Sequence, residues 1–294
     1  MRFDTSPRIS ICQFSTYQWT FVEDVMRYAS QGFESIGIWR RKLDDLGLAQ
    51  ATDLLHENKM SVSSLHWAGG FTGDGQSFQL AIDDAIRSIE AANQLNANCL
   101  ILHPGSRNGH TSSHAARLFH SALRELVPVA ADYGVKLGLE PIPTKRNSPW
   151  TFLDSFNDTL EILERYSSRD LGLVLDLFHL GFDPLIFEQL EEIVDRIELV
   201  QLADRTMKDF ECEQFQGRNE THRLPLGGGQ IQFVNWFRKL QELGYAGQFE
   251  IEVHGNEVTD IDSFAFLDSV GEYFRSDQVE SLLEVYPKRH QIKH

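Results

Sequence analysis

Short apolar runs alternate with longer amphipathic segments along nearly the whole chain, and this alternation constrains the fold more than any other feature. Strands are expected at residues 8–14, 35–39, 61–67, 98–103, 135–141, 171–176, 197–202 and 248–253. Between them, apolar residues recur at helical spacing. In 78–95 the stripe is Ile82, Ala85, Ile86, Ile89 and Ala92; in 113–133 it is Leu118, Phe119, Ala122, Leu123, Leu126 and Val129. Pro128 stands where it would bend the end of the second helix. Turn signals at Gln31-Gly32, Asp132-Tyr133-Gly134 and Leu243-Gly244-Tyr245 close helices just before the next strand. Eight β-then-α units with no break in composition predict α/β architecture, a single (β/α)8 barrel over residues 1–294. Its core is expected at about 8–275, with a C-terminal extension at 276–294. An open doubly wound sheet would carry a glycine-rich phosphate turn after an early strand, and the sequence has none. With 294 residues, 41% of them hydrophobic, the chain can bury a barrel-sized core.

Alternate side chains of a strand share a face. In VKLGLEP, Leu137 and Leu139 then face the outer helices, while Gly138 and Glu140 point into the barrel. In LGLVLD the leucines 171, 173 and 175 face outward, and Gly172, Val174 and Asp176 inward. In IELVQL the inner face is Ile197, Leu199 and Gln201; in QFEIEV it is Glu250 and Glu252. His66 and His103 end the third and fourth strands at comparable positions, and His179 follows Asp176 by three residues. Barrel active sites form at the carboxyl ends of the strands, so polar residues gathered there read as chemistry. Carboxylates converging in a narrow mouth repel one another unless some protonate or a cation neutralises them. Carboxylate and amide oxygens are hard ligands suited to Mg²⁺ or Mn²⁺. Glu250, one pleat deeper than Glu252, competes with it as a ligand.

One long connection follows the seventh strand, from about residue 204 to 230, and holds Arg205, Arg218, Arg223 and the run Leu224-Pro225-Leu226-Gly227-Gly228-Gly229. Such a loop is a functional lid or a local decoration. Its glycines read either as a phosphate cradle or as an ordinary tight turn.

In order along the chain, Glu140, Asp176-x-x-His179, a polar strand-seven end, the glycine-rich loop and the run G-Y-x-G-x-x-x-x-E from Gly244 to Glu252 resemble the xylose isomerase-like barrels. That superfamily includes keto-sugar 3-epimerases, hydroxypyruvate isomerase, inosose-processing enzymes, dehydroshikimate dehydratases and endonuclease IV. The resemblance covers residues 8–253 and implies a metal held by Glu140, Asp176, Gln201 and Glu252. It also implies substrate-binding roles for His179 and a loop arginine, Arg223 being favoured over Arg205. Gln201 departs from the family, which mostly has histidine there; an amide oxygen favours Mn²⁺, Mg²⁺ or Co²⁺ over Zn²⁺.

The function implied is a divalent-metal-dependent isomerase or epimerase of a keto-sugar or related polyol. Glu140 and Glu252 would serve as acid and base through an enediolate, with His66, His103, His179 and Arg223 binding substrate. Trp19, Trp39, Trp67 and Phe71, at or beyond strand ends, are either stacking walls for sugar rings or helix packing. The alternative is a metal-dependent lyase that expels a β-hydroxyl from a cyclic keto-polyol or a dehydroshikimate-like acid, toward which Gln201 leans. Endonuclease-like chemistry is disfavoured, because Gly229-Gln230-Ile231-Gln232 stands where further zinc ligands are needed. A net charge of -16, from 27 Lys plus Arg against 43 Asp plus Glu, also repels phosphate backbones. A barrel that binds without turnover would show a broken ligand set, which only Gln201 hints at. The three scattered cysteines, the absence of a signal-like N-terminus and of 18-residue apolar runs point to a cytoplasmic protein with no membrane partner. Related barrels are often dimers or tetramers, though no segment here demands a homo-oligomer.

Overall fold

The computed structural model describes residues 8–73, 75–143, 150–167, 169–216, 223–254, 262–276 and 279. Eight parallel strands, β1 (Arg8–Cys12), β2 (Ser35–Trp39), β3 (Ser61–Gly69), β4 (Cys99–His103), β5 (Leu137–Leu139), β6 (Leu171–Asp176), β7 (Ile197–Leu202) and β8 (Gln248–Ile251), close into a barrel. Each strand pairs with its neighbours in sequence, and β1 pairs with β8 from Arg8↔Gln248 to Ile11↔Ile251. The expected barrel is therefore present. The C-terminal extension and Arg218 lie outside the described residues, apart from Ser276 and Val279 of the former. No described helix is long and apolar enough to cross a membrane.

Local chemistry sets the helices. Ser77 caps α1 (Phe78–Gln94) through the Leu80 N–H, and Thr111 caps α2 (Ser112–Tyr133) through the His114 N–H. Gly134, at φ 68°, ends α2 in the left-handed conformation that glycine tolerates. Both helices begin and end within a residue of the positions their apolar stripes predict. A further helix, α3 (Met207–Gln216), lies inside the connection read as an irregular loop. Its sequence MKDFECEQFQ carries no continuous apolar stripe, so periodicity gave no sign of it.

The barrel interior is divided. Cys99, Ile101, Val174 and Leu199 form a separate apolar cluster, and the absence of a Cβ at Gly138 leaves room for the Val174 side chain. Ser10, Cys12, Ser63, Ser64, His66 and Glu250 are also buried, and the Cys99 thiol meets the Ser63 carbonyl at 3.8 Å. Ile197 departs from its expected inward position and packs with the large outer cluster. The reason is a register shift: Leu173 and Val174 are consecutive on β6, but their partners Ile197 and Leu199 are not on β7. One extra residue exchanges the faces of everything before it.

Candidate active site and metal centre

The carboxyl ends of the strands open into a cavity of about 760 Å³. Glu140, Glu252, His66, His103 and Arg223 line it. Asp176, Gln201 and His179 lie buried beneath. Glu140 directly follows β5, where Pro141 cannot continue the ladder, and Glu252 directly follows β8. The two glutamates reach the cavity from different sides of the barrel.

Each has a histidine beside it. His103 Nε2 lies 3.4 Å from Glu140 Oε2, and His254 Nε2 lies 3.2 Å from Glu252 Oε1. The Gln201 side-chain amide donates to Glu252 Oε2. Burial pushes the Glu252 carboxyl up, but the His254 bond and the charges of Arg223 and His66 outweigh it and hold Glu252 well below the usual carboxylate range. His254 escaped the reading of strand patterns because it lies past the strand. Its position two residues after Glu252 was the available signal.

Asp176 ends β6 and caps the turn that follows, its Oδ1 accepting from the Phe178 N–H at 2.8 Å. Its Oδ2 accepts from Arg223 Nη2 at 2.7 Å. His179 Nε2 lies 3.6 Å from Asp176 Oδ2 and 3.4 Å from Arg223 Nη2. Burial pushes His179 down to about 3, Arg223 and Arg205 adding to burial against the pull of Asp176, so its imidazole is neutral. Arg223, almost wholly buried, also donates to the Glu252 carbonyl at 3.1 Å and stacks 4.5 Å over the Phe178 ring. Arg205 stacks on Phe178 at 4.2 Å and donates to its carbonyl, away from the cavity. Of the two loop arginines, Arg223 is the one that lines the cavity.

Whether these residues suit a divalent cation can be tested on their own valences. Glu140, Asp176 and His179 each present a ligand atom, and these atoms lie within 4.8 Å of one another. The Gln201 Oε1 is buried without a hydrogen-bond partner among the described residues. An orphaned acceptor of this kind is costly unless something binds it. The Asp176 oxygens, though both engaged, retain lone pairs, since an ionised carboxylate has about four acceptor sites. Glu140 and Asp176 supply hard oxygens and His179 an imidazole nitrogen, a set that fits a divalent cation, whereas Glu252 is grouped with Cys12, His66 and Glu250.

A second group, Cys12, His66, Glu250 and Glu252, also comes within 4.8 Å. Glu250 is already engaged at both oxygens there: Ser63 and Ser64 donate to Oε2 at 2.5 Å each, and His66 Nε2 lies 2.8 Å from Oε1. Burial, Glu250 and Glu252 raise the Cys12 thiol, which disfavours the thiolate a metal needs. Glu250 is thus tied into the buried barrel interior.

The glycine run does not cradle phosphate. Asp204 Oδ2 accepts from the N–H groups of Gly227 and Gly229, at 3.0 and 2.9 Å, and Oδ1 from those of Arg205 and Ile231. The amides an anion would use are taken by a carboxylate of this chain.

Of the expected aromatic walls, Trp39 and Trp67 line the cavity. Trp19 instead packs on Phe264 at 5.2 Å under Arg27, and Phe71 is fully buried against Phe119. Phe14, Tyr17, Trp150, Arg40 and Asp84 also line the cavity. Phe14 and Tyr17 lie in and just after a short 3-10 turn, Trp150 in a loop, and Arg40 and Asp84 on helices, where period-two reasoning has no purchase.

A family model described as the xylose isomerase-like TIM barrel matches residues 25–270. The chain is 29% identical over 134 residues to an inosose isomerase of Halalkalibacterium halodurans, covering 45% of this chain and 44% of that one. It is 22% identical over 216 residues to a ketose 3-epimerase of Arthrobacter globiformis, covering 72% and 63%. The matches thus span about half the length of these curated relatives. A solved IolI protein with a bound zinc atom superposes with a TM-score of 0.77 at 18% identity, covering 96% of this chain and 99% of that one.

Proposed function

The chain belongs to the xylose isomerase-like TIM barrel family, and from that premise we propose that it is a divalent-metal-dependent isomerase or epimerase of a keto-sugar or related polyol. Its homologues are sugar isomerases and epimerases. The observation that carries the reading is the pair Glu140 and Glu252, reaching one cavity from β5 and β8, each beside a histidine, over a buried set of hard oxygen donors.

One carboxylate takes the proton from the carbon next to the substrate carbonyl, and the C–H electrons pass to the carbonyl oxygen, giving an enediolate. The other glutamate, in its carboxylic acid form, returns a proton to the opposite face, which inverts that carbon; return of the first proton by the same glutamate to the neighbouring carbon, with the hydroxyl proton passing to the former carbonyl oxygen, isomerises instead. The cation, Mn²⁺, Mg²⁺ or Co²⁺ in preference to Zn²⁺, would be held by Glu140, Asp176, Gln201 and Glu252 and would supply Lewis-acid polarisation of the carbonyl. Arg223 and the cavity histidines His66 and His103 hold substrate oxygens. His179 acts through Arg223 and Asp176, which it touches, rather than from the cavity wall.

The test is solvent-deuterium incorporation into a panel of free ketohexoses, followed by NMR. Wild-type protein with Mn²⁺ exchanges the proton next to the carbonyl, and Glu140→Gln lowers the rate by at least about 100-fold. Full exchange in that variant ends the assignment of Glu140. Because Gln201 departs from the family pattern, the same spectra also decide for or against the lyase: loss of water leaves an alkene.

A further inference from the structure

The catalytic end accounts for only part of the cavity. About 760 Å³ corresponds to roughly 25 water-sized shares of about 30 Å³, whereas a bare ketohexose has only about twelve non-hydrogen atoms. The remaining wall has a different chemistry. Two arms of rings lead away from the glutamates. Beside Glu140, His103 meets Trp67 edge-on at 5.5 Å, and Trp67 meets Trp150 at 5.6 Å. Beside Glu252, His254 meets Phe14 at 5.9 Å, and Phe14 meets Trp39 at 5.0 Å.

Arg40 ties the arms together. It follows Trp39 in the chain, donates to the Trp67 carbonyl at 3.0 Å, and grips both oxygens of Asp84 at 2.8 Å. The two side chains keep 25% and 29% of their surface exposed, and both line the cavity. The proton transfer proposed above gives them no task. A bidentate pair is geometrically fixed and leaves further donors and acceptors for hydroxyl groups. Flat aromatic faces beside such a pair cover the apolar C–H faces of a sugar ring. A phosphate would need uncompensated positive charge facing the cavity; Arg40 is paired there with Asp84, and the second arginine on Asp84, Arg87 at 3.4 Å, is not among the lining residues.

We propose that this outer region is a second subsite, for a neutral sugar ring linked to the ketose at the end remote from its carbonyl. The preferred substrate is then a glycosylated ketose rather than a free monosaccharide. This rests on the keto-sugar reading above.

Calorimetric titration of the Mn²⁺-loaded protein with D-fructose, with isomaltulose (the same ketose carrying a glucosyl ring on oxygen 6) and with D-fructose 6-phosphate tests it. Isomaltulose is expected to bind at least about tenfold more tightly than D-fructose. In Arg40→Ala and in Trp150→Ala, both changes at partly exposed side chains, that ratio is expected to fall to about twofold or less. A wild-type ratio near one, a ratio that survives both substitutions, or a phosphate ester that binds more tightly than isomaltulose overturns the subsite. Deuterium exchange on free ketohexoses without any preference for isomaltulose overturns the subsite alone. Neither binding nor exchange with any ketose overturns the subsite and the keto-sugar reading together.

Discussion

Gln201 is a single amide with two incompatible duties unless something sits at its oxygen. Its NH₂ goes to Glu252, and its buried Oε1 is left without a partner among the described residues. Placing an imidazole there, as most family members do, should soften the donor set. Gln201→His is expected to shift competition between Zn²⁺ and Mn²⁺ toward Zn²⁺ by about tenfold, read as bound metal after dialysis against both. An unchanged preference would put Gln201 outside the ligand set. A second residue-scale case is Asp24, wholly buried and bonded to Lys42 at 2.6 Å and to Thr16 at 2.6 Å. Burial pushes its carboxyl from 3.8 up to about 7 against the pull of Lys42. Burial also pushes Lys42 down, so both partners shift toward their neutral forms. Folded Asp24 keeps its proton where the unfolded chain has released it. Its contribution to stability is therefore full below about pH 4 and lost as pH rises through about 7. Thermal melts of wild type and Asp24→Asn should differ least near about pH 4, with the wild type losing ground toward neutrality. A wild type that gains ground instead means that the ion pair outweighs burial.

Among the elements, the segment after β7 is held by one carboxylate. Asp204 accepts four backbone N–H groups, and its own backbone pairs with Leu224 in both directions at 2.8 Å. Arg223 adjoins that bridge, so the same bonds aim its guanidinium at Asp176 and the Glu252 carbonyl. Bonds to a charged group contribute about 1.5–3 kcal/mol each and do not add fully, so Asp204→Ala should cost on the order of 3 kcal/mol in urea unfolding. It should also raise amide hydrogen exchange across residues 223–231. Unaltered protection there would show that the glycine turn stands without Asp204. Gly229→Ala meets the same network from the other side, because a Cβ would strike the Arg205 carbonyl and Asp204.

At the scale of the molecule, the proposed cation would join residues at the carboxyl ends of β5, β6, β7 and β8, so its occupancy would bear on the stability of the whole barrel. A ligand bound only by the folded state at about 100 times its Kd adds about 2.7 kcal/mol. For a chain of 294 residues, with about 2.1 cal/mol/K of unfolding entropy per residue, that is a rise in Tm of roughly 4 °C. Differential scanning calorimetry with Mn²⁺ and after chelation should show it, and coincident melts would remove the cation from the proposal. The acidic surface, with a formal charge of -16, bears on partners at the same scale. No binding to abasic duplex DNA is expected at physiological salt in a gel-shift assay, and retained binding would revive the nuclease reading.

The chain by itself determined its eight β–α units, because strand and helix periodicities are local consequences of backbone geometry. It also determined that Glu140, Asp176, Gln201 and Glu252 gather at one end of the barrel, since alternation and a parallel sheet leave no other place for them. Tertiary structure decided what local pattern does not encode. A one-residue register shift turned Ile197 outward. Packing on Phe178 left Arg205 behind the site and Arg223 in it. Asp204 filled the glycine turn that a phosphate might have claimed, and Arg40 met Asp84 across 44 residues. Each outcome depends on which side chain reaches a shared point first. That is a competition among segments far apart in sequence, settled by burial and hydrogen bonding only once the barrel has closed.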